Sequence, residues 1–179
     1  MRKIMKRALA LLLAASTLLA LLLLVSCGTK GEVEGFLTSD NYTFKAGKLT
    51  IKVDKSTVYY SDGNVEKYLF LDKSVGRYFY AEIGKDKKIV KEKLDSEKYI
   101  IYHGEILTIV SSTTTLLTGF LQVADTLEEV DGVYTVGDYT VKSADGVITL
   151  AMGKNTAEIS SVGSTTVEVP ENVMKASAK

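Results

Sequence analysis

Tryptophan is absent from this chain, and cysteine, proline and histidine each occur once. A lone cysteine cannot close an intrachain disulfide. With a lone histidine beside it, no thiolate or imidazole cluster can be assembled, and a metal would have to rest on carboxylates alone. A single proline and a 46% hydrophobic content exclude a disordered, proline-rich chain. Basic and acidic residues number 22 each, so no field of one sign draws the chain to nucleic acid.

Catalytic signatures are equally scarce. His103 has no Gly-x-Ser-x-Gly elbow to work with and, beside Gly104, reads as a turn or strand-end residue. Gly47-Lys48, Gly84-Lys85 and Gly153-Lys154 lack the glycine spacing of a phosphate loop. The aspartates sit singly in turns, and Glu128-Glu129 has no tryptophan platform beside it. The reading is a non-enzymatic protein that needs neither cofactor nor metal.

What is present begins at the N-terminus. Arg2, Lys3, Lys6 and Arg7 precede an apolar run from Ala8 to Val25, the pattern of an export signal whose start stays in the cytoplasm. The run ends in Leu24-Val25-Ser26-Cys27, which resembles the lipobox of bacterial lipoproteins. That resemblance implies a diacylglyceryl group on the Cys27 thiol, cleavage between Ser26 and Cys27, and a lipid-anchored place on the extracytoplasmic face of the cell membrane or outer membrane. Two acyl chains hold a protein at a bilayer where one is marginal. Losing the signal removes four cations and leaves the mature chain mildly acidic.

The expected organisation is a signal over 1–26, a lipidated tether over 27–32, one β-rich domain over 33–170 and a tail over 171–179. Lys48 to Val53 alternates polar and apolar residues, as a half-buried antiparallel strand does. Turn residues then recur at Ser61-Asp62-Gly63-Asn64, Gly137-Asp138, Asp145-Gly146, Gly153-Lys154 and Gly163-Ser164, spaced for consecutive hairpins. Strands are also expected at Tyr99–Tyr102, Ile106–Val110 and Thr165–Val169. Leu116, Phe120, Val123, Leu127 and Val130 recur at helical spacing, predicting one amphipathic helix over about 113–130. The fold class is mainly β (α+β), a curved antiparallel sheet or incomplete β-barrel with that helix packed on it.

In Tyr68-Leu69-Phe70-Leu71 and Tyr78-Phe79-Tyr80-Ala81 both parities are apolar or aromatic, so both faces of the central sheet should be covered. Tyr59, Tyr68, Phe70, Tyr78, Tyr80, Leu116, Phe120 and Leu127 are candidates to line an apolar cavity between sheet and helix; the same residues also read as plain core.

The combination of lipobox, early antiparallel strands, an amphipathic helix inserted among the later ones (Thr113 to Val130) and a final strand at Thr165-Thr166-Val167-Glu168-Val169-Pro170 resembles the lipoprotein-carrier superfamily, which comprises the periplasmic lipoprotein chaperone, its outer-membrane acceptor and related lipid-carrier lipoproteins. The resemblance implies a strongly curved, incomplete β-barrel whose helices plug an apolar cavity, and as partners a membrane reached through lipidated Cys27 and a lipid or lipidated-protein ligand. A surface with a solid core, serving as a structural or protein-interaction module, is the alternative. The carriers open with a long N-terminal helix, for which the space between Cys27 and Tyr42 is too short.

Overall fold

The computed structural model describes residues 28–178. The expected signal over 1–26 and the lipobox-like Leu24-Val25-Ser26-Cys27, like Lys179, lie outside the described residues.

Nine residues after Gly28 form helix α1 (Thr29–Leu37), and six strands follow in order: β1 (Asn41–Ala46), β2 (Leu49–Asp54), β3 (Thr57–Ser61), β4 (Glu66–Asp72), β5 (Arg77–Ile83) and β6 (Ile89–Leu94). Helices α2 (Ser96–Thr108) and α3 (Ser111–Val123) lead through a 3₁₀ turn (Ala124–Thr126) into β7 (Glu129–Val130), β8 (Val133–Val136), β9 (Tyr139–Ala144), β10 (Val147–Met152) and β11 (Asn155–Ser160). Helix α4 (Glu171–Lys175) comes last. The strands make one unclosed antiparallel sheet in the order β6-β5-β4-β3-β2-β1-β11-β10-β9-β8-β7. Every neighbour is consecutive in sequence except β1 and β11, which join two meanders at the centre. The mainly β fold with helices packed on a sheet is as the sequence predicts.

Turn chemistry sets the hairpins. Asp145 and Gly146 both take positive φ (54° and 73°), as do Asp131 and Gly132 (52° and 77°), the backbone whose twist matches the flanking strands. Two residues suffice to reverse the chain at each.

The sheet has an inner face, under the helices, and an outer face. Inward-pointing Tyr42, Phe44, Ile51, Val53, Val58, Leu69, Val141, Ile148 and Ile159 join Val33, Phe36, Ile106, Leu117 and Phe120 of the helices in the main core. Helices α2 and α3, bent by 61° relative to one another, connect edge strand β6 to edge strand β7 across this face. The opposite parity of β4 and β5 puts Tyr68, Phe70, Phe79 and Ala81 on the outer face, where Val173 of α4 seals them in a second cluster. Both faces of the central strands are therefore covered, as their two-parity apolar pattern requires.

Four expectations are corrected. The tether over 27–32 is not extended beyond Gly28, because α1 starts at Thr29 and buries Thr29, Val33 and Phe36. The apolar runs at Tyr99–Tyr102 and Ile106–Val110 are not strands; the first lies in α2 and the second straddles its end, with the Asp95 side chain accepting from the Lys98 N–H at 2.8 Å to cap the helix. The helix over 113–130 is α3 and ends at Val123, leaving Leu127 extended and Val130 in a short exposed strand. Thr165–Val169 forms no strand; the sides of the preceding β11 are taken by β1 and β10, so the chain cannot continue the meander there, and the tail beyond it carries α4.

Candidate functional site

Two alanines make the site. Ala46, the last residue of β1, pairs across the seam with Ala157 of β11, and the two are flanked by Leu49 and Leu150 in the neighbouring strands. All four point to the inner face. Because neither alanine fills the space beneath the helices, an open apolar groove of about 260 Å³ remains between the sheet and the turn from α2 into α3. Phe44, Leu49, Leu150 and Met152 line it from the sheet and Ile109 and Leu116 from the helical side, with Ser112, Thr113, Asn155 and Thr156 as its uncharged polar members. Met152 is 46% and Ile109 41% exposed, so the groove reaches solvent at an apolar rim.

Of the eight candidate lining residues, the structure brings only Leu116 into this groove. Tyr59, Tyr68 and Phe70 are on the outer face, separated from the helices by the sheet itself; strand parity makes a single cavity lined by all eight impossible. Tyr59 and Tyr68 instead border a polar cleft of about 300 Å³ with Lys52 and Glu168. Phe120 is fully buried and meets Tyr134 edge to face at 5.3 Å, as plain core. Leu127 is only partly buried beside the core. Tyr78 packs on Tyr99 with ring centroids 4.1 Å apart, and Tyr80 stacks on Tyr102 at 4.8 Å and 11°. The alanines that create the groove carry a faint sequence signal, for they are the small members of the inward series Tyr42-Phe44-Ala46 and Ala157-Ile159.

A second cleft of about 140 Å³ adjoins the groove on the inner face, with Ile109 in the lining of both. Tyr60, Lys67, Tyr80, Tyr102 and Glu105 surround it. The Tyr80 hydroxyl donates to Glu82 at 2.6 Å and the Tyr102 hydroxyl to Glu92 at 3.2 Å. Burial first, and then Glu82, push the Tyr80 phenol above its ordinary range, so it remains a proton donor at neutral pH. Lys67 Nζ lies 5.5 Å from the Tyr60 ring centroid and 3.9 Å from Glu82.

His103 lies within α2 rather than at a strand end or turn, half-buried with its ring 5.6 Å from that of Tyr99. Among the described residues, no group of three or more His, Cys, Asp or Glu is placed to hold a metal ion, and no single helix is long and apolar enough to cross a membrane.

The fold and the groove define a class: an unclosed antiparallel sheet with helices on its inner face and an apolar recess between them. No family model, curated protein or solved structure matches the chain.

Proposed function

We propose that the protein is a lipid-anchored extracytoplasmic module, without enzymatic activity, that binds an apolar ligand such as a lipid or the acyl part of a lipidated protein between its sheet and its helices. The groove over Ala46 and Ala157 carries this reading: it is open, apolar and built from the sheet and the α2–α3 turn. At about 260 Å³ it lies just under the 300–1,000 Å³ usual for drug-sized ligands, which suits one alkyl chain better than two. The unclosed sheet with helices across its inner face also agrees with what the resemblance to the lipoprotein carriers implies.

The position of Thr29, the first residue of α1, supports the same reading. Thr29, two residues after Cys27, accepts from the Ser143 N–H beside the Asp145-Gly146 turn. The groove opens at the other end of the strands, by Gly47-Lys48 and Gly153-Lys154, about 20 Å away for six-residue strands. An anchor at Cys27 would hold the groove mouth away from the protein's own attachment point.

Native mass spectrometry of the protein from its producing host should show co-purifying lipid, and a neutral fluorescent alkyl probe should bind with an affinity that Ala46→Phe abolishes while circular dichroism is unchanged. Absence of both lipid and probe binding would sink the reading. For the anchor, Cys27→Ser should move the protein from the membrane fraction to the soluble one; unchanged membrane retention would count against lipidation.

The alternative of a solid interaction module draws on Ile100 and Ile101, which are 67% and 52% exposed on α2. A copurifying protein lost on Ile100→Glu, from a chain that binds no alkyl probe, would favour it.

A further inference from the structure

The groove and its neighbouring cleft differ in chemistry, and the difference names the polar end of the ligand; this step rests on the apolar-ligand reading above. Past Ile109 the lining changes from mainly apolar and uncharged to aromatic and charged. Tyr80 and Tyr102 have given their hydroxyls to Glu82 and Glu92 and stack on one another at 4.8 Å, so the outward faces and edges of the stacked rings are what they still offer. Lys67 shows what those surroundings accept, since its own ammonium rests over the Tyr60 ring and beside Glu82. Aromatic faces and carboxylates together favour cations.

The carboxylates leave a negative balance. Glu92 is matched by Lys98 at 2.7 Å, but Lys67 faces Glu82 at only 3.9 Å, and among the described residues Glu105 has no ion pair. Glu105 is exposed at the cleft wall and close enough to raise the pKa of both Tyr80 and Tyr102. An anionic head group would meet this excess unfavourably.

We infer that groove and cleft form one bipartite site for an amphiphile with a single alkyl chain and an ammonium head. The chain lies over Ala46 and Ala157, and the head passes Ile109 to sit among Tyr60, Tyr80, Tyr102 and Glu105. Lys67 occupies part of the head-group position in the unliganded protein and competes with the ligand's cation.

The eleven-stranded sheet and both core clusters are formed by residues 28–178 alone, so the chain beginning at Gly28 serves for the test. Titration calorimetry at pH 7 would compare dodecylammonium, dodecanoate and the uncharged dodecyl maltoside, all below their micelle concentrations. Dodecylammonium should bind about tenfold more tightly than dodecanoate, the size expected of one partly exposed ion pair with cation–π support. Glu105→Gln should narrow that ratio at least ~3-fold, and Lys67→Met should tighten dodecylammonium binding by removing the competing cation. Dodecanoate binding as tightly as dodecylammonium, or Lys67→Met weakening the ammonium probe, would overturn the head-group assignment while leaving the groove intact. If none of the three alkyl probes binds, the groove reading fails with it.

Discussion

One side chain of Asn41 joins Thr165 as a neighbouring strand would. Its Nδ2 donates to the Thr165 carbonyl at 2.8 Å and its Oδ1 accepts from the Thr165 N–H at 2.6 Å, all of it buried. A second Nδ2 bond reaches Asp54 at 3.0 Å, and the Thr43 and Thr165 hydroxyls meet at 3.0 Å. The segment after β11 is thus fixed to the outer face without extending the sheet.

Asn41→Ala should cost about 3 kcal/mol, because two buried backbone groups of Thr165 lose their partners together. Asn41→Asp keeps the acceptor but sets a carboxylate against Asp54, so it should not rescue. Urea midpoints of the two variants would check this; a loss under about 0.5 kcal/mol for both would mean water replaces the side chain.

The C-terminal helix is held by a buried cation. Lys91, 5% exposed, donates through Nζ to the Met174 carbonyl at 2.7 Å and lies 4.5 Å from the centroid of Phe79. Lys91→Met keeps the aliphatic stem and removes the donor, which should destabilise by about 1–3 kcal/mol. Val173→Ala should cost about 2 kcal/mol through lost burial. In both variants limited proteolysis should cut near residue 170 sooner than in the parent.

Phe120 tests whether the inner face is solid away from the groove. It is fully buried between α3 and the sheet, and Phe120→Ala should cost about 3–5 kcal/mol. Ala46→Phe, placed in open space, should cost far less by the same measurement.

His103 is a single reporter of pH, because no other imidazole is present. Burial holds its pKa below the ordinary 6.5, so the folded state favours the neutral ring. Its stability contribution is complete above pH 6.5 and declines as pH falls through the lowered folded value. Proton NMR of the one imidazole should give a midpoint below 6.5, and His103→Gln should flatten the decline in urea midpoint below that pH.

Strands were legible wherever two signals coincided. The polar–apolar alternation of Lys48–Val53 marks β2, evenly spaced turn residues mark the hairpins from β8 to β11, and the two-parity pattern at Tyr68–Leu71 matches the cover found on both faces. Where one signal stood alone it misled. Tyr99–Tyr102 is a short apolar run that either element can contain; the deciding feature is Asp95, whose side chain caps α2 three residues upstream of Lys98. Thr165–Val169 alternates like a strand, but pairing depends on a free edge, and edge availability is a property of the assembled sheet. The groove was the least legible feature, because it arises from two alanines about 110 positions apart that meet only across the β1–β11 pairing.

That same pairing has a consequence for how the chain acquires its structure. Each meander can form from contacts between consecutive strands, yet the seam requires Asn41–Ala46 to wait for Asn155–Ser160. Long-range pairing of this kind is slow and leaves an edge exposed until it is made. A chain made from its N-terminus shows the unpaired edge of β1 until nearly all of the described residues have been added. Completion of the sheet and of the floor of the groove therefore comes with the same long-range pairing.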